Sequence, residues 1–189
     1  MVLGGIHGDE PKSVFLTNSL IELLSTSPKS AGRVTWIIVP LVNPDGFERR
    51  KRRNARGVDL NRNFPTRNWQ AGPARSRMYG GPAPASELET RAVMRIVKRF
   101  RPDVIITIHS INRHRQCNNY DGPAGAIASA MSRHNRYPVT ANIGYPTSGS
   151  FGTWAGVERG IPVVTLELPS HHSPQRCWLD NSDALIRLG

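Results

Sequence analysis

Cysteine is scarce in this sequence, and so are long apolar runs. Only two cysteines occur in 189 residues, Cys117 and Cys177, and neither lies in a Cys-x-x-Cys pattern. This excludes a disulfide framework and a metal site built from thiolates, and it fits a reducing compartment. No apolar run reaches the length of a membrane span, and the first residues lack a basic leader followed by a long apolar stretch. We therefore predict a cytoplasmic protein with no membrane partner.

Acidic residues are also few: 14 Asp and Glu stand against 25 Lys and Arg, which gives a formal net charge of +11. Many of the basic residues lie between Arg49 and Arg56, a run that could bind phosphates. However, aromatic residues make up only 7% of the chain, and no helix-turn-helix, zinc-finger or RNA-binding signature accompanies the run. We expect no nucleic-acid partner. A solvated loop with one or two functional arginines fits better, and its charge would steer an acidic substrate.

The spacing of apolar residues predicts strands that alternate with helices. Strands are predicted at 2–6, 33–42, 104–108 and 161–168, and helices at 11–24, 86–100, 123–134 and 149–159. The segment Asn43-Pro-Asp-Gly46 indicates a turn, and a long loop runs from there to about residue 85. Ser86 and Glu89 form a capping box for a helix that buries Leu88.

This alternation indicates an α/β fold with a mixed, mostly parallel β-sheet flanked by helices. Hydrophobic residues make up 38% of the chain, enough for one sizeable core, and no Pro/Gly/Ser-rich linker divides it. We therefore predict one catalytic domain over residues 1–189. The oligomeric state is left open.

Four polar residues stand at the end of these apolar strands or inside them: His7, Glu10, His109 and Glu167. An unpartnered charge there would be costly, so each needs a partner. Two histidines and a carboxylate are the ligand set of a catalytic zinc that keeps one position open for water. A second carboxylate nearby could serve as general base. The sequence therefore predicts a zinc hydrolase with one zinc per chain.

Five motifs then follow one another along the chain. They are His7-x-x-Glu10, Asn43-Pro-Asp-Gly46, the run Arg52–Pro65, His109-Ser110, and Glu167. In this order they closely resemble the zinc metallocarboxypeptidase family, from Gly4 to about Pro169. The resemblance implies a zinc carboxypeptidase-like fold. Relatives place one or two strands before the strand that leads to His-x-x-Glu, whereas only six residues precede His7. We expect a sheet shortened at the N-terminus with an uncovered edge, or a start that lies further upstream.

The resemblance also implies a metal centre. His7, Glu10 and His109 match the zinc ligands, and Glu167 matches the carboxylate that acts as general base and then as general acid. Asp59 resembles the carboxylate that orients the ring of the first histidine, a common way to fix the tautomer of a ligand.

Further matches concern the substrate. Asn61 and Arg62 resemble the pair that holds the substrate's terminal carboxylate, for which a guanidinium is well shaped. Arg52 resembles the arginine that stabilises the tetrahedral oxyanion, and Arg53 or Arg50 could take that role instead. Tyr145 matches the family's mobile substrate-contacting tyrosine, and a structural tyrosine fits about as well.

Within the family, the sequence looks most like the murein peptide amidases. Those bacterial cytoplasmic enzymes cleave the γ-D-glutamyl–diaminopimelate bond of recycled cell-wall peptides. The segments that carry the likeness are Gly57–Pro65 with the Asn-Trp pair after it, Pro84–Thr90, and Gly144–Trp154. In digestive carboxypeptidases a side chain at the position of Gly152 lines the specificity pocket, so the glycine predicts a roomier pocket here. The implied substrate is a peptide with a free carboxylate.

Three alternatives stay open. A general C-terminal carboxypeptidase would share every residue above and differ only in the shape of its pocket. An aspartoacylase-like deacylase also uses a His-x-x-Glu strand end, but it matches the Asn-Pro-Asp-Gly and Asp-Leu-Asn-Arg-Asn-Phe segments less well. A peptide- or nucleic-acid-binding protein on a hydrolase scaffold would tolerate the loss of a ligand or of Glu167, and neither is lost.

Overall fold

The chain is seen here as a computed structural model that describes residues 1–27, 29, 32, 34–112, 115–141, 143–145 and 147–187. Its centre is one six-stranded β-sheet in the order β2-β1-β3-β6-β4-β5. The strands are β1 (Val2–Leu3), β2 (Ile38–Val39), β3 (Ile105–Ile111), β4 (Cys117–Asp121), β5 (Val139–Thr140) and β6 (Val163–Pro169). All neighbours are parallel except β4 and β6, which are antiparallel. The prediction of a mixed, mostly parallel sheet is confirmed.

Helices cover both faces of the sheet. They are α1 (Pro11–Thr26), α2 (Pro44–Glu48), α3 (Leu88–Phe100), α4 (Gly125–Asn135) and α5 (Pro174–Ile186). Helices α1, α4 and α5 pack on one face, and α3 packs on the other. A 3₁₀ turn (Leu60–Arg62) and a π-helical turn (Thr153–Val157) lie in the loops. Among the described residues, none of the helices combines the length and the apolar character that a membrane span requires.

Side-chain alternation along β3 and β6 separates a core from a polar edge. The even-numbered apolar residues, such as Ile108 and Leu166, are buried against α1, α4 and α5. The odd-numbered residues face the side of α3, where Ile105 and Val163 join a second apolar cluster. Toward the carboxyl ends of the strands this second face becomes polar. Its next residues are Thr107 and His109 on β3, and Thr165 and Glu167 on β6. That edge carries the candidate site.

Two predicted strands are shorter than expected. Strand 2–6 is confined to Val2–Leu3, because Gly5 adopts φ +63 and turns the chain toward α1. Its partner, predicted from Arg33 to Val42, is confined to Ile38–Val39; Arg33 itself lies outside the described residues. Strand β2 lies at the edge of the sheet, where its neighbour β1 offers it only two residues to pair with.

Three local predictions were wrong: the turn at residues 43–46, the N-cap at Ser86 and the burial of Leu88. The segment at residues 43–46 begins a short helix, α2, since the Asn43 side chain accepts a hydrogen bond from the backbone N–H of Gly46 and caps it. Helix α3 begins at Leu88, one residue after its N-cap Glu87, and Ser86 is not the cap. Glu87 is buried and accepts from Asn54, which leaves Leu88 72% exposed.

Strands β4 and β5 and helix α5 were not predicted. The sequence of β4, Cys-Asn-Asn-Tyr-Asp, lacks the apolar alternation typical of a strand. Neighbouring strands supply its pairing partners, so tertiary structure outweighs local preference here. The single catalytic domain over residues 1–189 stays a prediction.

Candidate metal centre and active site

The turn between β1 and α1 brings two candidate ligands to one point. His7 lies in the turn after β1, and Glu10 occupies the N-cap of α1, ahead of Pro11 at the first helical position. His109 projects from β3, the parallel neighbour of β1. The longer β3 places this histidine inside the strand rather than at its exit. All three side chains are buried, with exposures of 3%, 8% and 3%.

Their donor atoms face one another. The Nδ1 atoms of His7 and His109 lie 3.1 Å apart. Nδ1 of His7 is 2.9 Å from Oε1 of Glu10, and Nδ1 of His109 is 3.0 Å from Oε2. Two ligands at about 2.0–2.1 Å from a tetrahedral zinc are roughly 3.3 Å apart, so the set fits that metal. Among the described residues, this is the only such group of three ligands.

The second ring nitrogen of His7 has its own partner. Nε2 lies 3.0 Å from Oδ1 of Asp59, which is fully buried. Asp59 also accepts the backbone N–H of Asn61 and thereby caps the 3₁₀ turn. Its other oxygen accepts from Nε of Arg52 at 2.9 Å. A proton held on Nε2 leaves Nδ1 of His7 free to bind a metal, the arrangement expected of a ligand histidine.

Electrostatics within this cluster favour an ionised Glu10. Burial alone would raise the pKa of Glu10, but His7 and His109 hold it well below its usual range. Burial would lower the pKa of His7, yet the carboxylates of Glu10 and Asp59 raise it to about 9. For His109, burial outweighs the nearby carboxylate and lowers the pKa. Zinc binds a carboxylate and a neutral imidazole, so Glu10 and His109 favour the ligand form already, whereas His7 would release a proton when the metal binds.

Glu167 lies beside the ligands because of strand register. Residues His109 of β3 and Glu167 of β6 are paired in the parallel ladder, so both side chains leave the same face. Glu167 is 6% exposed and lines the same cavity as the ligands. Burial, followed by the charge of Glu10, raises its pKa to about 8. A carboxyl group that gains and loses a proton near neutral pH is suited to acid–base work.

The 3₁₀ turn presents a cationic group to the same cavity. Arg62 is 4% exposed, and its Nη1 donates to the carbonyl of Asn61 at 2.6 Å. The side-chain oxygen of Asn61 accepts from the backbone N–H of Phe151 at 2.9 Å. Tyr145 is 43% exposed and hydrogen bonds to Arg62. The three residues predicted to bind substrate therefore lie together on one wall.

Of the three arginines considered for the oxyanion, Arg52 faces the cavity. Its Nη1 lies 3.6 Å from Oε1 of Glu10, in addition to its bond to Asp59. Arg53 instead donates to the carbonyls of Arg75 and Ser76. The side chain of Arg50 is exposed, and neither Arg50 nor Arg53 lines this cavity.

The expectation of extra space at Gly152 was wrong. A Cβ built on Gly152 would overlap Oδ2 of Asp121 and lie 2.7 Å from its Cγ. The carboxylate of Asp121, at the end of β4, already fills the space that the missing side chain leaves. The cavity measures about 280 Å³.

Sequence reasoning missed the residues that β4 supplies. Asn119 and Asp121 both line the cavity. Ser110 was named only as part of a motif, and its backbone N–H donates to Oε2 of Glu10 at 3.0 Å. Without an apolar pattern, β4 gave no signal beyond the Asp-Gly turn that ends it.

Comparisons with known proteins bear on these residues. A profile of the zinc carboxypeptidase family matches residues 1–115. Murein peptide amidase A of Escherichia coli strain K12 is 31% identical over 180 residues, which cover 89% of this chain and 70% of that protein. The same-named protein of Vibrio campbellii is 30% identical over 181 residues, which cover 89% of this chain and 68% of that protein.

Solved structures show the same similarity. The crystal structure of murein-tripeptide amidase MpaA from Escherichia coli O157 superposes with a TM-score of 0.77 at 28% identity, covering 99% of this chain and 79% of that one. Carboxypeptidase A from Helicoverpa armigera gives a TM-score of 0.81 at 22% identity and covers 98% of this chain and 58% of that one. The second likeness concerns the fold alone.

Proposed function

Because this chain belongs to the zinc carboxypeptidase family, and is therefore a zinc-dependent hydrolytic enzyme, we propose that it is a murein peptide amidase. The proposed reaction is hydrolysis of the γ-D-glutamyl–diaminopimelate bond in a peptide with a free carboxylate. The observation that carries it is the convergence of His7, Glu10 and His109 beside Glu167 in one cavity. The names of the relatives at 30–31% identity support the substrate class.

His7, Glu10 and His109 would hold the zinc, which supplies Lewis-acid polarisation of a carbonyl group and a lowered pKa for water. Glu167 would take a proton from the attacking water and later deliver it to the leaving amine. Its buried position and raised pKa support this cycle.

The residues of the 3₁₀ turn that line the cavity would bind the substrate. Arg62 would pair with the free carboxylate of the leaving residue, and Asn61 would donate to the same group. Arg52, held by Asp59, would face the oxyanion that develops at the scissile carbonyl. Tyr145, half exposed at the mouth of the cavity, would close over the bound peptide.

A substrate panel tests the proposal. The purified enzyme is assayed with L-alanyl-γ-D-glutamyl-diaminopimelate, with α-linked peptides ending in phenylalanine or lysine, and with an N-acyl amino acid. We expect the highest kcat/KM for the murein tripeptide. Arg62→Ala should change KM more than kcat, because it removes the charge-assisted contact to the free carboxylate, a loss of about 1.5–3 kcal/mol.

A second candidate is a general C-terminal carboxypeptidase. Arg62 in the cavity supports it as well as it supports the amidase, because both substrates have a free carboxylate. Faster cleavage of the α-linked peptides would establish it and reject the amidase. Cleavage of the N-acyl amino acid alone would favour a deacylase instead. The cytoplasmic location and the absence of a nucleic-acid partner stay predictions.

A further inference from the structure

We propose that Asp121 and Asn119 bind an ammonium group on the side chain of the residue that the enzyme releases. This rests on the proposed function, since it places the leaving residue in the cavity beside Arg62. It adds a specificity determinant to the chemistry described above.

Strand alternation places both residues on the wall of the cavity. Asn119 and Asp121 are two positions apart on β4, so their side chains leave the same face of the strand. In the antiparallel ladder, Asn119 pairs with Thr165, which lines the cavity as well. The neighbouring π-helical turn and the residue before it carry glycine at 156 and 152. A Cβ at either position would collide with Asp121, so these glycines let the end of β4 approach closely.

Both side chains present acceptors without a partner. The amide oxygen of Asn119 is buried, since the residue is only 8% exposed, and it has no hydrogen-bond partner among the described residues. Within the same part of the chain, the Asp121 carboxylate forms no ion pair with any cation. Thr107 and Thr165 cannot serve them, since the two hydroxyl groups bond to each other at 3.0 Å. Buried acceptors without donors are costly, so a ligand that supplies N–H groups would be favoured.

The charge pattern selects the ligand. The cavity contains a buried guanidinium, Arg62, and a carboxylate, Asp121. An amino acid with an α-carboxylate and a distal ammonium complements both. A distal carboxylate alone would be repelled by Asp121, and an apolar side chain would leave both acceptors unsatisfied. Diaminopimelate and lysine have the required ammonium, whereas norleucine and 2-aminopimelate lack it.

The test compares matched leaving residues in two peptide series, one γ-D-glutamyl-linked and one α-linked. In each series the leaving residue is diaminopimelate, lysine, norleucine or 2-aminopimelate. We expect the wild-type enzyme to prefer the lysine peptide over the norleucine peptide in kcat/KM by roughly ten- to a hundred-fold, the range for a charge-assisted hydrogen bond. Asp121→Asn should bring that ratio close to one.

The control variant is Asp183→Asn, which removes the same charge from the exposed face of α5 and should keep the wild-type ratio. A ratio that survives in Asp121→Asn would overturn the proposal. If that variant does not fold, the relative inhibition of the wild-type enzyme by free lysine and norleucine decides, and equal inhibition would reject the proposal. Failure of the γ-linked series alone, with an Asp121-dependent preference in the α-linked series, would reject the proposed function and leave this inference standing.

Discussion

At the scale of single residues, strand register explains how Glu167 comes to lie next to a metal centre. It is the one charged residue of β6, Val-Val-Thr-Leu-Glu-Leu-Pro. Pairing with His109 places it on the polar face, while Leu166 and Leu168 on either side are fully buried in the core. A shift of the β6 register by one residue would place the Glu167 carboxylate in that core. Burying an unpaired charge there would cost too much free energy for the fold to tolerate.

We predict that Glu167→Gln retains the fold and the zinc but lowers kcat by at least a factor of about a hundred, the usual scale for a lost general base. The amide fills the same space but cannot accept a proton. Glu22→Gln, on the exposed face of α1, is the matched control. Turnover, melting temperature and zinc content are measured together. Near-normal turnover in a zinc-loaded Glu167→Gln protein would show that another group takes the proton.

The residues of the metal centre could be predicted because their chemistry is unusual for their position. A histidine and a glutamate three residues apart after an apolar strand are a moderate signal, which the ordered motifs further along the chain strengthen. The position of Asp121 on the cavity wall was beyond prediction, because it depends on where β4 lies in the sheet. The space at Gly152 was misjudged for the same reason: only the folded chain shows which neighbour fills it.

At the scale of elements, the 3₁₀ turn is held from outside by Gly149. The carbonyl of Gly149 accepts from the N–H of Phe64 at 2.9 Å, and its own N–H donates to Thr66 at 3.1 Å. Gly149 has φ +70, and a Cβ there would overlap the carbonyl oxygen of Arg62. The position of the guanidinium therefore depends on this glycine.

We predict that Gly149→Ala lowers the free energy of unfolding by about 2–4 kcal/mol, the sum of a left-handed backbone cost and an overpacking cost. It should also raise KM, because Arg62 must move. Gly160→Ala is the matched control: its φ is +68, but no atom lies within 4 Å of its Cβ. That variant should lose only the left-handed backbone cost, about 1–2 kcal/mol. Urea unfolding measures the free energy of unfolding of both variants, and steady-state kinetics measures their KM. Equal losses of stability and equal KM values would mean that the position of Arg62 does not depend on Gly149.

Local signals were reliable for long elements and poor for short ones. Helix α1 was predicted at 11–24 and observed at Pro11–Thr26, since its apolar spacing and its N-terminal proline agree. The start of α3 was misplaced because Glu87 is drawn inward by Asn54, a residue 33 positions away. Capping rules consider only the next turn and contain no information on such a contact.

At the scale of the whole molecule, the sheet joins distant parts of the chain into one centre. His7 and His109 are 102 residues apart in sequence, and the contact between their Nδ1 atoms spans that separation. Folding removes the side chains of these two histidines and the carboxylates of Glu10 and Asp59 from water. A bound cation would satisfy their facing donor atoms, so metal binding and folding should be coupled.

We predict that the purified protein binds one zinc per chain and that a chelator lowers its melting temperature. At a free zinc concentration about 1,000 times the Kd, binding adds roughly 4 kcal/mol to the free energy of unfolding. For a domain of this size that corresponds to a shift of roughly 8–16 °C. His7→Ala and His109→Ala should lose the zinc and the shift. His134→Ala, which removes an exposed histidine of α4, should keep both. Metal analysis and thermal unfolding with and without chelator provide the measurement, and stoichiometric zinc in the double His7→Ala/His109→Ala variant would place the metal elsewhere.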